Sequence, residues 1–85
     1  MNAVKTLFIT GVSSGFGQAL AREALADGHR VIGTVRSESA RATFEALAAE
    51  RAHGVVLDVT DFEAIDPLVA AVEAQYGPVD VLVNN

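Results

Sequence analysis

The segment Thr10-Gly11-Val12-Ser13-Ser14-Gly15-Phe16-Gly17 sets glycines and serines between an apolar β-branched run and a stretch of helix formers. The chemistry this composition suits is anion binding. Gly11 lets the chain turn sharply off a strand, while Gly15 and Gly17 remove side chains where a diphosphate and a neighbouring strand must approach the backbone. The first turn of the following helix points unpaired N–H groups at the anion, with roughly half a positive charge from the helix dipole. Ser13 and Ser14 add hydroxyl donors. A triphosphate P-loop is a poor match, because it needs a lysine and a hydroxyl residue after its second glycine, and Gly17 is followed by Gln18. The plain alternative is a tight loop that only packs a helix on a strand.

The elements that must hold this turn are legible from periodicity. Lys5 to Thr10 reads as a buried first strand, and Gly15 to Asp27 as a helix with Phe16, Leu20, Ala24 and Leu25 at helical spacing and Gly28 as its cap. His29 to Val35 gives a second strand. Ser37 and Ser39 are candidate N-caps for a second helix with Phe44, Leu47 and Ala48 on one face, which His53-Gly54 is expected to close. Val55, Val56, Leu57 and Val59 predict a third strand, and Thr60 with Glu63 has capping-box spacing. A third helix carries Ile65, Leu68, Val69, Val72 and Tyr76, with Pro67 expected to kink it or, as the alternative, to restart it with Asp66 as a new cap. Val79 to Val83 makes a fourth strand that runs into Asn84-Asn85. The order β-α-β-α-β-α-β, with strands apolar on both faces, predicts an α/β fold: the N-terminal portion of a Rossmann-type doubly wound parallel sheet.

Composition narrows the function classes. Eighty-five residues suffice for one unit, so residues 1–85 are expected to be a single domain portion with no separate substrate domain. A hydrophobic content of 51% favours a packed core. Net charge of -5, without basic clusters, argues against nucleic acid or an anionic membrane as partner. The absence of cysteine removes disulfides and thiolate sites and leaves the cytoplasm as the expected location. The N-terminus has no signal-peptide pattern and no run reaches membrane-spanning length. His29 and His53 each sit beside a glycine without a ligand-spaced partner, so no metal site is expected.

The spacing Gly-x-x-x-Gly-x-Gly departs from the general dinucleotide fingerprint and resembles the cofactor turn of the short-chain dehydrogenase/reductase family, Thr-Gly-x-x-x-Gly-x-Gly, at every fixed residue from 10 to 17. Phe16 stands where that family more often has Ile or Leu. Two further segments carry the resemblance in the expected order. Leu57-Asp58-Val59 is similar to the family's Asp-Val segment beside the adenine, and Val83-Asn84-Asn85 to the start of its Asn-Asn-Ala-Gly motif. The resemblance implies a nicotinamide dinucleotide held by Gly11, Ser13, Ser14, Gly15, Phe16 and Gly17, with Asp58, Val59 and Asn84 as further contacts. A helix cap is the alternative role for Asp58.

In Rossmann units an acidic residue about 20 residues beyond the glycine turn accepts the ribose hydroxyls of NAD. Val35 occupies that place, so no carboxylate repels a 2′-phosphate, and Arg36 beside it offers a planar fork for one. NADP(H) is therefore the expected cofactor, with Ser37 adding a hydroxyl and NAD(H) second. The same missing carboxylate counts against an S-adenosylmethionine site. The resemblance further implies hydride transfer with a small-molecule carbonyl or alcohol substrate, and a homo-oligomer in the complete enzyme. Its catalytic serine, tyrosine and lysine are expected beyond Asn85; Tyr76 has no lysine four residues later and continues an apolar face. A non-catalytic dinucleotide-binding or regulatory module is the alternative, and a purely structural half-domain a third. In isolation, a fourth strand with an open hydrophobic edge is expected to associate.

Overall fold

The computed structural model describes residues 3–57 and 65–85. In chain order these form β1 (Thr6–Ile9), α1 (Gly15–Ala26), β2 (Arg30–Val35), α2 (Glu38–Glu45), β3 (Ala52–Val56), α3 (Ile65–Tyr76) and β4 (Val81–Val83). The strands make one sheet in the order β3-β2-β1-β4, and every pairing is parallel. This is the Rossmann-type α/β arrangement. The chain steps from β1 to one side through β2 and β3, then returns to the other side as β4. The crevice at the carboxyl end of β1 is thus a topological switch point.

Strand alternation assigns each side chain to a layer. Leu7, Ile9, Val31 and Val35 pack with Ala21, Ala24 and Leu25 of α1 and Phe44 of α2. Phe8 and Ile32 face the other way, onto Val72 of α3, with Leu68 and Tyr76 beside it. Both faces of the central strands are covered, which explains their near-continuous apolar sequence. Burying a side chain the size of Phe8 or Ile32 contributes about 1.5–3 kcal/mol.

Four local expectations are corrected. The core face of α1 is Gly17, Ala21, Ala24 and Leu25, whereas Phe16 is 66% exposed. Small residues face the sheet and bring the helix close, and Phe16, one position before Gly17, is rotated out to solvent. His53-Gly54 does not close α2. That helix ends at Glu45, and both residues lie inside β3, which begins three positions before the Val55 start expected from the sequence. Gly54 serves close packing instead: a Cβ there would stand 2.6 Å from Arg41 Cγ, and its N–H donates to Glu45 Oε2 at 2.9 Å. Leu47, expected on the buried face of α2, lies beyond that helix and is 42% exposed. Finally, among the described residues α3 begins at Ile65, so Pro67 stands in its first turn, where proline is tolerated, and not in a helix interior.

Other junctions follow the sequence. Ser37 caps α2, its Oγ accepting the Ala40 N–H at 3.1 Å. Gly28 N–H donates to Leu25 O and His29 N–H to Ala24 O, both at 3.0 Å, closing α1. Thr60 and Glu63, the proposed capping box, lie outside the described residues.

Candidate dinucleotide site

The turn after β1 is built by backbone conformation. Gly11 has φ +69° and Gly15 φ +62°, both in the left-handed region where a Cβ is strained. Around Gly15 the space that a Cβ would take is open to 4 Å, while at Gly17 a Cβ would collide with the Gly11 carbonyl. The three glycines therefore do different work. Gly11 and Gly15 shape the loop, and Gly17 lets α1 start directly against it.

Ser14 is the N-cap of α1 in extended conformation, φ -161° and ψ 164°, and its side chain makes no capping hydrogen bond. The first amides of α1 are thus left without a side-chain acceptor, and the Ser14 hydroxyl is free for another partner. No acidic residue occupies the first turn to compete with an incoming anion.

An open cavity of about 420 Å³ lies at this junction, lined by Gly11, Ser13, Ser14, Thr34, Val35, Arg36, Leu57 and Asn85. The structure therefore brings the glycine turn, the end of β2 and the end of β4 to one place at the carboxyl edge of the sheet. Arg36 is exposed there and forms no ion pair among the described residues. Of the residues expected from sequence, Gly15, Phe16, Gly17, Ser37 and Asn84 do not line the cavity, although Gly15 to Gly17 form the helix start beside it. Asp58 and Val59 lie outside the described residues.

A hydrogen-bonded knot joins the ends of β1 and β4 beside the cavity. The Asn85 N–H donates to Thr10 Oγ1 at 2.7 Å, and Asn85 Nδ2 donates to the Gly11 carbonyl at 3.2 Å. Thr10 Oγ1 lies 3.4 Å from Asn84 Oδ1 and 3.3 Å from Asn85 O, two acceptors for its one proton. From the β2 side, Thr34 Oγ1 accepts the Gly11 N–H at 2.9 Å and Thr34 O accepts the Val12 N–H at 3.1 Å.

The comparisons with known proteins follow this architecture. Residues 5–85 match the family model described as short chain dehydrogenase. The chain belongs to that family. Serine 3-dehydrogenase of Agrobacterium fabrum is 45% identical over 83 residues, which cover 94% of this chain and 32% of that enzyme. The 3-oxoacyl-[acyl-carrier-protein] reductase of Haemophilus influenzae is 38% identical over 81 residues, 95% of this chain and 34% of its own length. Among solved structures, a short-chain dehydrogenase from Streptomyces avermitilis superposes with a TM-score of 0.89 at 51% identity, covering 98% of this chain and 31% of that one. The chain thus spans about a third of the length of the relatives it matches.

Within this short chain dehydrogenase fold, the cavity residues Thr34, Leu57 and Asn85 were not among the site residues expected from the sequence. Thr34 sits inside a strand where its β-branched side chain reads as ordinary strand composition, and Asn85 follows the residue that the motif comparison favoured. The remaining candidates are structural. His29 Nδ1 accepts the Lys5 N–H at 3.0 Å, and His53 stacks against Tyr76 at 4.5 Å between ring centroids. Arg30 donates to the Tyr76 carbonyl at 2.8 Å, tying the end of α3 to the start of β2. No helix among the described residues is long and apolar enough to cross a membrane.

Proposed function

We propose that this chain is the NADP(H)-binding portion of a short chain oxidoreductase that moves a hydride between nicotinamide and a carbonyl or alcohol. The observation that carries the reading is the shared cavity, which the left-handed Gly11 turn, Ser13, Ser14 and Arg36 all line. The fit to a dinucleotide rests on the open space at Gly15, where a side chain would stand in the approach to the backbone, and on an α1 N-terminus without an acidic first turn.

Gly11, Ser13, Ser14, Gly15, Phe16 and Gly17 would hold the diphosphate, and Arg36 with Ser37 the 2′-phosphate. Ser37 Oγ accepts from Ala40 and lies 3.2 Å from Ser39 Oγ; with Ser39 as the donor of that pair, the Ser37 hydroxyl keeps its proton for a phosphate oxygen. Asp58 and Val59 are assigned to the adenine, and Asn84 with Asn85 to the wall near the nicotinamide end. When bound, the cofactor supplies or accepts the hydride. The residues of this chain bind and orient it and carry no proton of the reaction. The catalytic serine, tyrosine and lysine are assigned to sequence after Asn85, as is the substrate pocket. The complete protein is proposed to be a homo-oligomer of the cytoplasm.

The test is turnover by the full-length protein, supplied with NADPH and a panel of small ketones, aldehydes and β-keto thioesters and followed by nicotinamide absorbance. Oxidation that requires both protein and carbonyl compound supports the reading. Saturable NADPH binding with no turnover on any of the panel favours a non-catalytic module instead.

A further inference from the structure

We propose that Thr34 is a positioning residue for the dinucleotide site, acting through its hydroxyl on the amide of Gly11. The inference rests on the reading above that this turn receives a diphosphate. Three observations meet at one strand position. Thr34 is fully buried in β2. Its Oγ1 accepts the Gly11 N–H at 2.9 Å, and its carbonyl accepts the next amide, Val12, at 3.1 Å. One residue of a neighbouring strand thus takes two successive N–H groups of the turn, one with its side chain and one with its backbone. Gly33, immediately before it, leaves the volume that the Val12 side chain fills: a Cβ at 33 would collide with both Val12 methyls.

The consequence is conformational. Gly11 carries φ +69°, a region that glycine leaves as easily as it enters. Sheet pairing cannot hold it there, because β1 ends at Ile9. On the β4 side the Asn85 side chain grips the Gly11 carbonyl at 3.2 Å, and on the β2 side Thr34 grips the Gly11 N–H. The peptide groups on either side of the Gly11 Cα are therefore clamped from opposite neighbours, and the turn is ordered before ligand arrives. Preorganisation of this kind lowers the entropy lost on binding. A valine at 34 keeps the shape and removes only the acceptor, leaving the Gly11 amide unpaired.

The Thr34 hydroxyl acts on the Gly11 amide, in the turn assigned to the diphosphate that both cofactors share, so its effect is expected to be common to NADPH and NADH. The experiment compares Thr34→Val and Thr34→Ser with the parent in the full-length protein, reading calorimetric Kd for NADPH and NADH and the exchange rate of the Gly11 amide without ligand. T34V is expected to weaken both dinucleotides by the same factor, about tenfold, and to speed Gly11 exchange, while T34S restores both. A T34V protein that binds like the parent, a T34S protein that behaves like T34V, or a loss falling on NADPH alone would each overturn the proposal. Were the parent to bind neither dinucleotide, the functional reading would fail by itself. Gly11 exchange would then decide the clamp separately, faster in T34V than in T34S upholding it and equal rates ending it.

Discussion

Gly17 and Gly11 touch across the start of α1: the position a Cβ of Gly17 would take lies on the Gly11 carbonyl, and 2.7 Å from Asn85 Nδ2. The obstacle is backbone on one side and a hydrogen-bonded amide on the other, so neither yields cheaply. Gly17→Ala must move α1 away from the turn or break the Asn85 contact. Overpacking of this kind costs about 1–3 kcal/mol. A lower melting temperature together with at least tenfold weaker NADPH binding is expected; a G17A protein with parental affinity would show that the contact does not shape the site.

Arg36 is the residue proposed to separate the two cofactors. Removing a charge-assisted contact to a phosphate costs about 1.5–3 kcal/mol, or roughly 10- to 100-fold in Kd. Arg36→Ala should lose that much toward NADPH and almost nothing toward NADH, with unchanged thermal stability because the side chain is exposed. Equal losses toward both cofactors would place Arg36 at the shared diphosphate.

Asp80 latches β4 to β1. Its N–H donates to Thr6 O and its Oδ2 accepts the Thr6 N–H, both at 2.8 Å. Asp80→Ala removes the side-chain half and is expected to cost about 1.5 kcal/mol, at the low end for a bond to a charged group because the residue is exposed. Asp80→Asn keeps an acceptor and should lose less. Denaturant unfolding of both variants checks the order.

Among the described residues β4 pairs on one side only, and Val81 and Leu82 are 37% and 54% exposed. An apolar parallel edge of this kind invites a further strand. A polypeptide of these 85 residues made alone is expected to self-associate in analytical ultracentrifugation. A monodisperse monomer that melts cooperatively would contradict this.

The sequence carried the fold where periodicity and punctuation agreed. Leu7 to Ile9 and Val31 to Val35 read as buried strands, and of the two candidate caps Ser37 and Ser39 it is Ser37 that caps α2. Gly54 misled because a glycine after a helix reads as a stop, whereas here it makes room for Arg41 across a strand. Phe16 misled because helical spacing does not tell which face of α1 meets the sheet until the small residues at 17, 21 and 24 are seen to take it. The glycine turn and Arg36 were legible because their types are chemically unusual at those positions. Thr34 and Asn85 were not, since their roles depend on strands that meet only in the folded sheet.

We propose that a dinucleotide diphosphate sits on the Gly11–Gly17 turn, with Arg36 selecting the phosphorylated cofactor. Calorimetric titration of the full-length protein with NADPH and with NADH tests it most directly. Saturable binding of both, with NADPH about 10-fold or more the tighter, is the predicted result. Tighter binding of NADH, or no saturable heat from either, would contradict it.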